Sequence, residues 1–412
     1  MKIFLDSYGC TLNQADASII RGVLRKHEFT SLENADVVVL NSCGVKLTTE
    51  NKIVSAIERY KKLRKRVIVT GCLPRINEKR MRSLGVVLVD SNSLARLPDA
   101  LKAKQGAFFS ERHYNKIKMA HEQDKSPTAV IEISEGCLGS CSFCGTKKAR
   151  GHLTSYPKED IVRYARSLVR SGKKELLVTS QDAGAYGADI GSSLPELVKE
   201  ITSIPGEFMV RVGMTSPHFV SRDISSFKRM YENPKVYRFS HIPIQSGSDR
   251  VLRRMNRVGS VRDFEKAARE LRKIKGMVIA TDIIVGFPGE TKKDFEKTLS
   301  LVKRVKPEVV NISRFTPRPG TKASLMKQTP SGISKKRSEI LDGICRKITA
   351  DYLKKCVGKR MRVLVTGKVK DGKTLARSPS YRQVILNKPA RGFVGVEITG
   401  AGATFLRAKI IN

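Results

Sequence analysis

The segment Cys137-Leu138-Gly139-Ser140-Cys141-Ser142-Phe143-Cys144 spaces three cysteines as C-x3-C-x2-C, directly after an apolar run at 129–134 that reads as a strand. Three thiolates on one short loop can ligate three irons of a [4Fe–4S] cube, leaving the fourth iron open to a small molecule. A structural zinc ion would need a fourth ligand to close its tetrahedron, and His152 is the only nearby candidate. A loop placed where a strand opens a long βα series favours the iron–sulfur reading.

Outward from this loop, apolar runs alternate with amphipathic stretches. Strands are predicted at 129–134, 175–179, 208–213, 236–241, 277–284 and 308–313, with helices at 158–170, 194–202, 261–275 and 292–304 among them. Six βα units predict a partial, open (β/α)6 version of the TIM barrel, whose chemistry collects at the C-terminal ends of the strands. Toward the N-terminus, strands at 2–7, 36–40, 66–70 and 86–90 alternate with helices at 11–26, 47–62, 77–83 and 94–104. That rhythm predicts a doubly wound parallel sheet. From Val357 onward the runs at 360–366, 382–386, 393–398 and 404–410 read as a small antiparallel β-barrel. The expected fold class is therefore α/β with three domains, 1–105, 128–356 and 357–412, and an aperiodic polar linker at 106–127.

The remaining cysteines divide by position. Cys10, Cys43 and Cys72 each follow one of the first three N-terminal strands. A parallel sheet sends all its carboxyl ends to one edge, so three thiols there can converge on a second cluster. Any one alone would read as an ordinary buried cysteine. Cys345 and Cys356 have no such setting and read as structural.

Charge supplies an independent constraint. The 412 residues include 78 Lys+Arg against 39 Asp+Glu, a net charge of +39, which points to a polyanionic partner. From Val357 to the end the chain carries twelve basic residues and only Asp371 and Glu397 as acids. Solvated helix faces explain single runs such as 61–66 but not the whole excess. No apolar run approaches the roughly 20 residues that span a bilayer, and the N-terminal apolar run breaks at Asp6. A cytoplasmic protein without membrane association is expected.

The predicted barrel ends carry polar and glycine-rich motifs: 179–182, 211–215, 241–248, 281–291 and 311–320. Side chains there can bind the polar groups of a cofactor, and Gly and Pro permit close backbone approach. Gly286, Pro288 and Gly289 also suit a plain strand-to-helix turn, and Asp282 suits a structural carboxylate with partners elsewhere.

The cysteine loop is similar to that of radical S-adenosylmethionine enzymes, and the chain as a whole resembles the methylthiotransferase family, in its archaeal and eukaryotic threonylcarbamoyladenosine branch. The likeness rests on 8–13, 41–46, 71–74, 136–144, 149–151, 155–157, 179–187, 241–248, 286–290 and 317–320. Gly145 departs from it, since relatives often carry Lys, Val or Ile there. The resemblance implies an N-terminal cluster domain, a radical barrel and a C-terminal TRAM barrel. It implies two [4Fe–4S] clusters, one on Cys137, Cys141 and Cys144 and an auxiliary one on Cys10, Cys43 and Cys72. S-adenosylmethionine would be held by Phe143, Ser180, Asp182, Arg211, Gln245, Gly286 and Gly289. The implied reaction places a methylthio group on C2 of N6-threonylcarbamoyladenosine at position 37 of tRNA. Arg377, Tyr381 and Arg382 are the candidate contacts to the anticodon loop. A reductant protein such as flavodoxin or ferredoxin, and a monomeric state, complete the expectation. Competing readings are the same chemistry on isopentenyladenosine-37 or on a ribosomal-protein aspartate, and a non-catalytic iron–sulfur RNA-binding protein.

Overall fold

Runs such as Val37-Val-Val-Leu-Asn-Ser42 carry apolar residues on both strand faces, the pattern of strands covered on both sides. The computed structural model, which describes residues 1–369 and 373–411, builds a parallel sheet from them. Its strands are β1 (Lys2–Ser7), β2 (Glu28–Phe29), β3 (Val37–Ser42), β4 (Arg66–Gly71), β5 (Val87–Val89) and β6 (Ala107–Phe108), in the order β2-β1-β3-β4-β5-β6. Ile3, Val37, Val39, Ile68, Val87 and Val89 bury one face under the helices Thr11–Val23 and Leu97–Lys102; Val38, Leu40, Val67 and Val69 bury the other under Leu47–Lys62.

The second unit begins with β7 (Thr128–Glu132) and a short hairpin of β8 (Ser134–Glu135) and β9 (Thr154–Ser155), which encloses the cysteine loop. β10 (Glu175–Thr179) and β11 (Met209–Val212) complete a parallel sheet β11-β10-β7. β12 (Phe239–His241), β13 (Val278–Val285) and β14 (Val309–Arg314) form a second parallel sheet, joined to the first by a bridge between Val210 and Val236. The predicted partial six-stranded barrel is thus present, as two three-stranded arcs.

The helix Ser331–Lys354 leads to the C-terminal unit, a closed barrel β15-β16-β17-β19-β18 of β15 (Arg360–Lys368), β16 (Thr374–Arg377), β17 (Gln383–Leu386), β18 (Phe393–Ala401) and β19 (Leu406–Ile410). Four of these strands match predicted runs; β16 is too short to show alternation above its surroundings. Cys345 lies in the core of the central unit and Cys356 in that of the C-terminal barrel.

The stretch 106–127 differs from the expected linker. Residues 107 and 108 extend the first sheet as β6, and Lys116 and Ile117 are buried. Glu122 N–H donates to Ser18 carbonyl oxygen at 3.0 Å, and the chain passes so near Gly22 that a Cβ there would sit 2.1 Å from the Ala120 oxygen. Its polar residues are consumed by contacts that span two domains, which periodicity cannot reveal.

Two predicted RNA contacts also lie elsewhere. The loop 378–382 is pressed against the residues that precede β12, β13 and β14. Arg238 N–H donates to Pro379 oxygen at 2.9 Å, Ser380 Oγ to Gly276 oxygen at 2.8 Å and Arg382 Nη2 to Glu308 oxygen at 2.9 Å. Tyr381 takes a left-handed backbone (φ 60°) and packs its ring edge-on against Tyr237 and tilted against Phe239, at centroid distances of 4.9 and 5.3 Å. Tyr381 and Arg382 therefore plug the floor of the central barrel, and Arg377 lies over the Tyr381 ring. Aromatic and basic residues in a basic module look like RNA contacts in sequence; here their apolar stems and rings dock one domain on another.

Replacing Tyr381 by Ala removes this packing and should weaken the docking by about 3 kcal/mol. Limited proteolysis should then release the C-terminal barrel earlier than in the parent chain. Equal resistance contradicts the plug.

Candidate active site

Adjacency in the sheet decides where the first three thiols meet. β1, β3 and β4 are neighbours, so Cys10, Cys43 and Cys72 leave three consecutive strands at one edge. Two buried asparagines tie these ends together. Asn13 Nδ2 donates to Asn41 Oδ1 at 3.1 Å and to Ser42 oxygen at 2.9 Å, while Asn41 Nδ2 donates to Ser7 Oγ at 3.0 Å. Cys10 Sγ lies 3.5 Å from Asn13 Oδ1, and Cys72 N–H donates to Ser42 oxygen at 3.0 Å. Gly9, at φ 121°, lets the Cys10 loop close on its neighbour: a Cβ there would be 2.8 Å from Cys43 Cβ. Burial pushes the Cys72 thiol up to about 12, against the pull of Arg150, and Cys10 and Cys43 add to the rise. Cys10 is the exposed member, and with Tyr8, Asn13 and Arg21 it lines a cleft of about 430 Å³.

The second triad is clamped by its own loop and by a distant turn. Gly139 N–H points at Cys137 Sγ (3.3 Å) and Thr146 N–H at Cys144 Sγ (3.4 Å). Ser142 donates through N–H to Met255 oxygen at 2.8 Å and through Oγ to Arg254 oxygen at 3.0 Å, and Asn256 Nδ2 reaches Ser140 Oγ at 2.8 Å. Arg257 Nη1 lies 3.6 Å from Cys141 Sγ. Burial raises Cys137 to about 11, and Asp182 adds to it. Among the described residues no three His, Cys, Asp or Glu side chains sit close enough to hold a single ion. A cube offers each thiolate a different iron, so its ligands stand further apart than those of one metal.

Ile76 stands between the triads. It is fully buried, and it touches the residue after a cysteine on each side: a Cβ on Gly44 would lie 2.5 Å from Ile76 Cδ1, and one on Gly145 would lie 3.4 Å from the same atom. The departure at Gly145 thus lies beside Ile76, where an added Cβ would make ordinary van der Waals contact.

The proposed cofactor residues divide. Asp182, buried at the end of β10, accepts from Ser216 N–H at 3.0 Å and Gly184 N–H at 3.2 Å. Beside it Ser180 Oγ and both polar atoms of Gln181 are buried without a protein partner, free to meet a polar ligand. Phe143 packs edge-on against Phe287, 6.5 Å between centroids. Gln245 has φ 76°, and its backbone is fixed by Asp282 and Ile284. Gly286 (φ 72°) and Gly289 (φ 80°) make the strand-to-helix turn: a Cβ would meet Ser334 at 2.5 Å or Arg254 at 2.7 Å. Arg211 is not at this end of the barrel. Its guanidinium lies 5.6 Å from both the Phe239 and Tyr381 ring centroids, on the barrel floor, and burial pushes it below its ordinary value. The partners missing from the sequence for Asp282 are His241 Nε2 at 2.9 Å and Asn311 Nδ2 at 2.8 Å.

Sequence reasoning passed over the charges behind the cysteines. Asp16, Lys116, Glu132, Glu135 and Arg150 are all buried where the first two units meet. Lys116 Nζ reaches Asp16 Oδ1 at 2.9 Å and Glu135 Oε2 at 2.6 Å; Arg150 reaches the other oxygens, Asp16 Oδ2 at 2.6 Å and Glu135 Oε1 at 3.0 Å. Arg150 Nε also lies 3.3 Å from Cys72 Sγ. The one hint was that Ala149-Arg150-Gly151 closes the cysteine loop. A second buried pair, Arg318 with Glu50, joins the end of the barrel to the N-terminal unit.

A partial parallel barrel whose first strand leads into a C-x3-C-x2-C loop, with orphaned polar atoms at the neighbouring strand end, defines a radical S-adenosylmethionine enzyme. Residues 131–302 match the family described as the Radical SAM superfamily, residues 2–89 the Uncharacterized protein family UPF0004 and residues 354–411 the TRAM domain. The chain is 42% identical to the probable threonylcarbamoyladenosine tRNA methylthiotransferase of Archaeoglobus fulgidus, across 100% of this chain and 99% of that one. It is 34% identical to the human threonylcarbamoyladenosine tRNA methylthiotransferase, across 100% of this chain and 74% of that one. It shares its fold with the radical S-adenosylmethionine methyltransferase TsrM of Kitasatospora setae (TM-score 0.59, 13% identity, 91% of this chain and 80% of that chain). The chain belongs to the threonylcarbamoyladenosine tRNA methylthiotransferase family.

Within the buried charge cluster the two glutamates have opposite roles. Burial and the Glu135 charge raise Glu132 well above its ordinary carboxylate value. Burial would also raise Glu135, but Arg150 and Lys116 hold it below its ordinary value. Glu132→Gln should therefore change stability by no more than about 1 kcal/mol. Glu135→Gln should cost about 3–5 kcal/mol, because it strips a buried cation pair of its partner. For Glu132 the folded value exceeds the unfolded one, so its contribution is full below the ordinary carboxylate pKa and is lost as pH rises through the raised value. Unfolding midpoints of both variants at neutral and alkaline pH check this; equal costs contradict it.

Proposed function

We propose that this enzyme converts N6-threonylcarbamoyladenosine at position 37 of tRNA to its 2-methylthio derivative. The observation that carries the reading is that two cysteine triads, each at the carboxyl ends of parallel strands, abut the same buried side chain, Ile76. Cys137, Cys141 and Cys144 would hold the radical cluster, and Cys10, Cys43 and Cys72 the auxiliary one. When bound, the two [4Fe–4S] clusters and S-adenosylmethionine supply the electron, the radical and the methylthio group that replaces the C2 hydrogen of the adenine. The protein's part is placement. Ser180, Gln181 and Asp182 present buried polar atoms to the cofactor, Phe143 offers an apolar wall, and Asp282 holds His241 and Asn311 at the adjacent strand ends. A C2–H bond offers no acidic proton to a general base, which is why no base–nucleophile pair is needed here.

Electrostatics supports a tRNA substrate, with the grip moved from the predicted residues. β16 runs from the loop 378–382 on the barrel floor to the opposite end of the C-terminal barrel. There Lys368, Lys373, Lys388 and Arg391 are exposed, and Thr374 Oγ1 donates to Lys388 oxygen at 3.0 Å, setting the start of β16 beside the residues that follow β17. This corner suits phosphate contacts with the anticodon arm. A soluble reductant protein would supply electrons to a monomeric chain in the cytoplasm; no helix among the described residues is long and apolar enough to cross a membrane.

Nucleoside mass profiles of tRNA from cells with and without the protein test the reaction, and an unchanged profile refutes it. Cys141→Ala should abolish release of 5′-deoxyadenosine in the anaerobically reconstituted enzyme. Cys43→Ala should retain that release but yield no methylthio product; equal loss of both in the Cys43 variant contradicts two separable clusters.

Lys388→Ala with Arg391→Ala should weaken tRNA binding and lower the salt slope of log K by about 2. An unchanged slope contradicts the assigned corner.

A further inference from the structure

Among the described residues, Arg150 is the one side chain that bonds to a cysteine of one triad while gripping the strand that leads to the other. It is 1% exposed. Its Nη1 meets Glu135, two residues before Cys137, and its Nη2 meets Asp16, on the helix Thr11–Val23 that Cys10 caps. Each of these carboxylates gives one oxygen to Lys116 and the other to Arg150. The guanidinium is therefore locked in plane and angle, and its Nε–H has one partner, the Cys72 sulfur at 3.3 Å. Lys116 and Arg150 are thus set against the same two carboxylates, and the contact to Cys72 is a directed hydrogen bond from an anchored guanidinium. A lysine could not reproduce it, because an ammonium is a point charge without a planar fork.

We propose that Arg150 is a positioning residue for the auxiliary cluster: its Nε–H holds the Cys72 thiolate and, by hydrogen bonding to that sulfur, raises the reduction potential of the cluster. The inference rests on the reading of Cys10, Cys43 and Cys72 as cluster ligands. The general physics is that hydrogen bonds to cysteine sulfur stabilise the more negative, reduced state of an iron–sulfur cluster. The same side chain ties that ligand to β8 and so to the loop of the radical cluster, which makes Arg150 a mechanical link between the two sites.

The test uses the full chain carrying Cys137→Ala, Cys141→Ala and Cys144→Ala, so that only the auxiliary cluster remains. Iron content and an EPR-monitored redox titration are compared with and without Arg150→Lys. The expected result is a more negative midpoint potential in the Lys variant, or selective loss of iron from a chain whose far-UV circular dichroism matches its parent. The same midpoint at full iron content overturns the proposal. If Arg150→Lys does not fold, Asp16→Asn is read instead, since it leaves Arg150 present but loosens its grip. A smaller shift of the same sign supports the role of Arg150, and no shift overturns it. Should the parent itself take up no iron, the assignment of the three cysteines fails, and the role of Arg150 with it.

Discussion

Buried ionisable groups tolerate few arrangements, and here five of them lie where the N-terminal sheet meets the central barrel. Asp16 comes from the first helix, Lys116 from the connecting stretch, Glu132 and Glu135 from β7 and β8, and Arg150 from the helix behind the cysteine loop. Removing one member of a buried pair costs about 3–5 kcal/mol, because its partner is left without water or counter-charge. All of these segments must therefore dock together. Once they do, the carboxyl edge of one parallel sheet faces the mouth of the other, and the two cysteine loops are neighbours.

That arrangement matters chemically because the target carbon must be served from two places. An apolar residue, Ile76, rather than a polar one, fills the space between the loops. At the neighbouring strand end Ser180 and Gln181 keep buried polar atoms without protein partners. The C-terminal barrel joins this core from the opposite end. Tyr381 seals the floor, and the exposed basic corner points away from it.

Much of this was legible in sequence for a physical reason. Parallel strands share a direction, so cysteines placed after β1, β3 and β4 had to emerge on one edge, and the C-x3-C-x2-C loop marked where the barrel begins. Long-range pairing was not legible. Asp16 and Arg150 are 134 residues apart in the chain, and nothing in either neighbourhood announces the other. The stretch 106–127 looked like a linker because its contacts are polar and non-periodic. Arg211 was misplaced for a subtler reason: a strand's end is readable from its pattern, but which end of the barrel a long side chain reaches depends on the aromatic rings waiting for it. Tyr381 and Arg382 were misread because docking and RNA binding draw on the same residue types.

The most direct measurement of the central claim is iron and sulfide quantitation, with Mössbauer spectroscopy, on the anaerobically reconstituted chain. Two cube clusters require about eight irons per chain in [4Fe–4S] form. Replacing Cys10, Cys43 and Cys72 together by Ala should remove half of that iron and leave the remaining cube intact. Only four irons in the unaltered chain, or the same content after the triple replacement, would contradict the account.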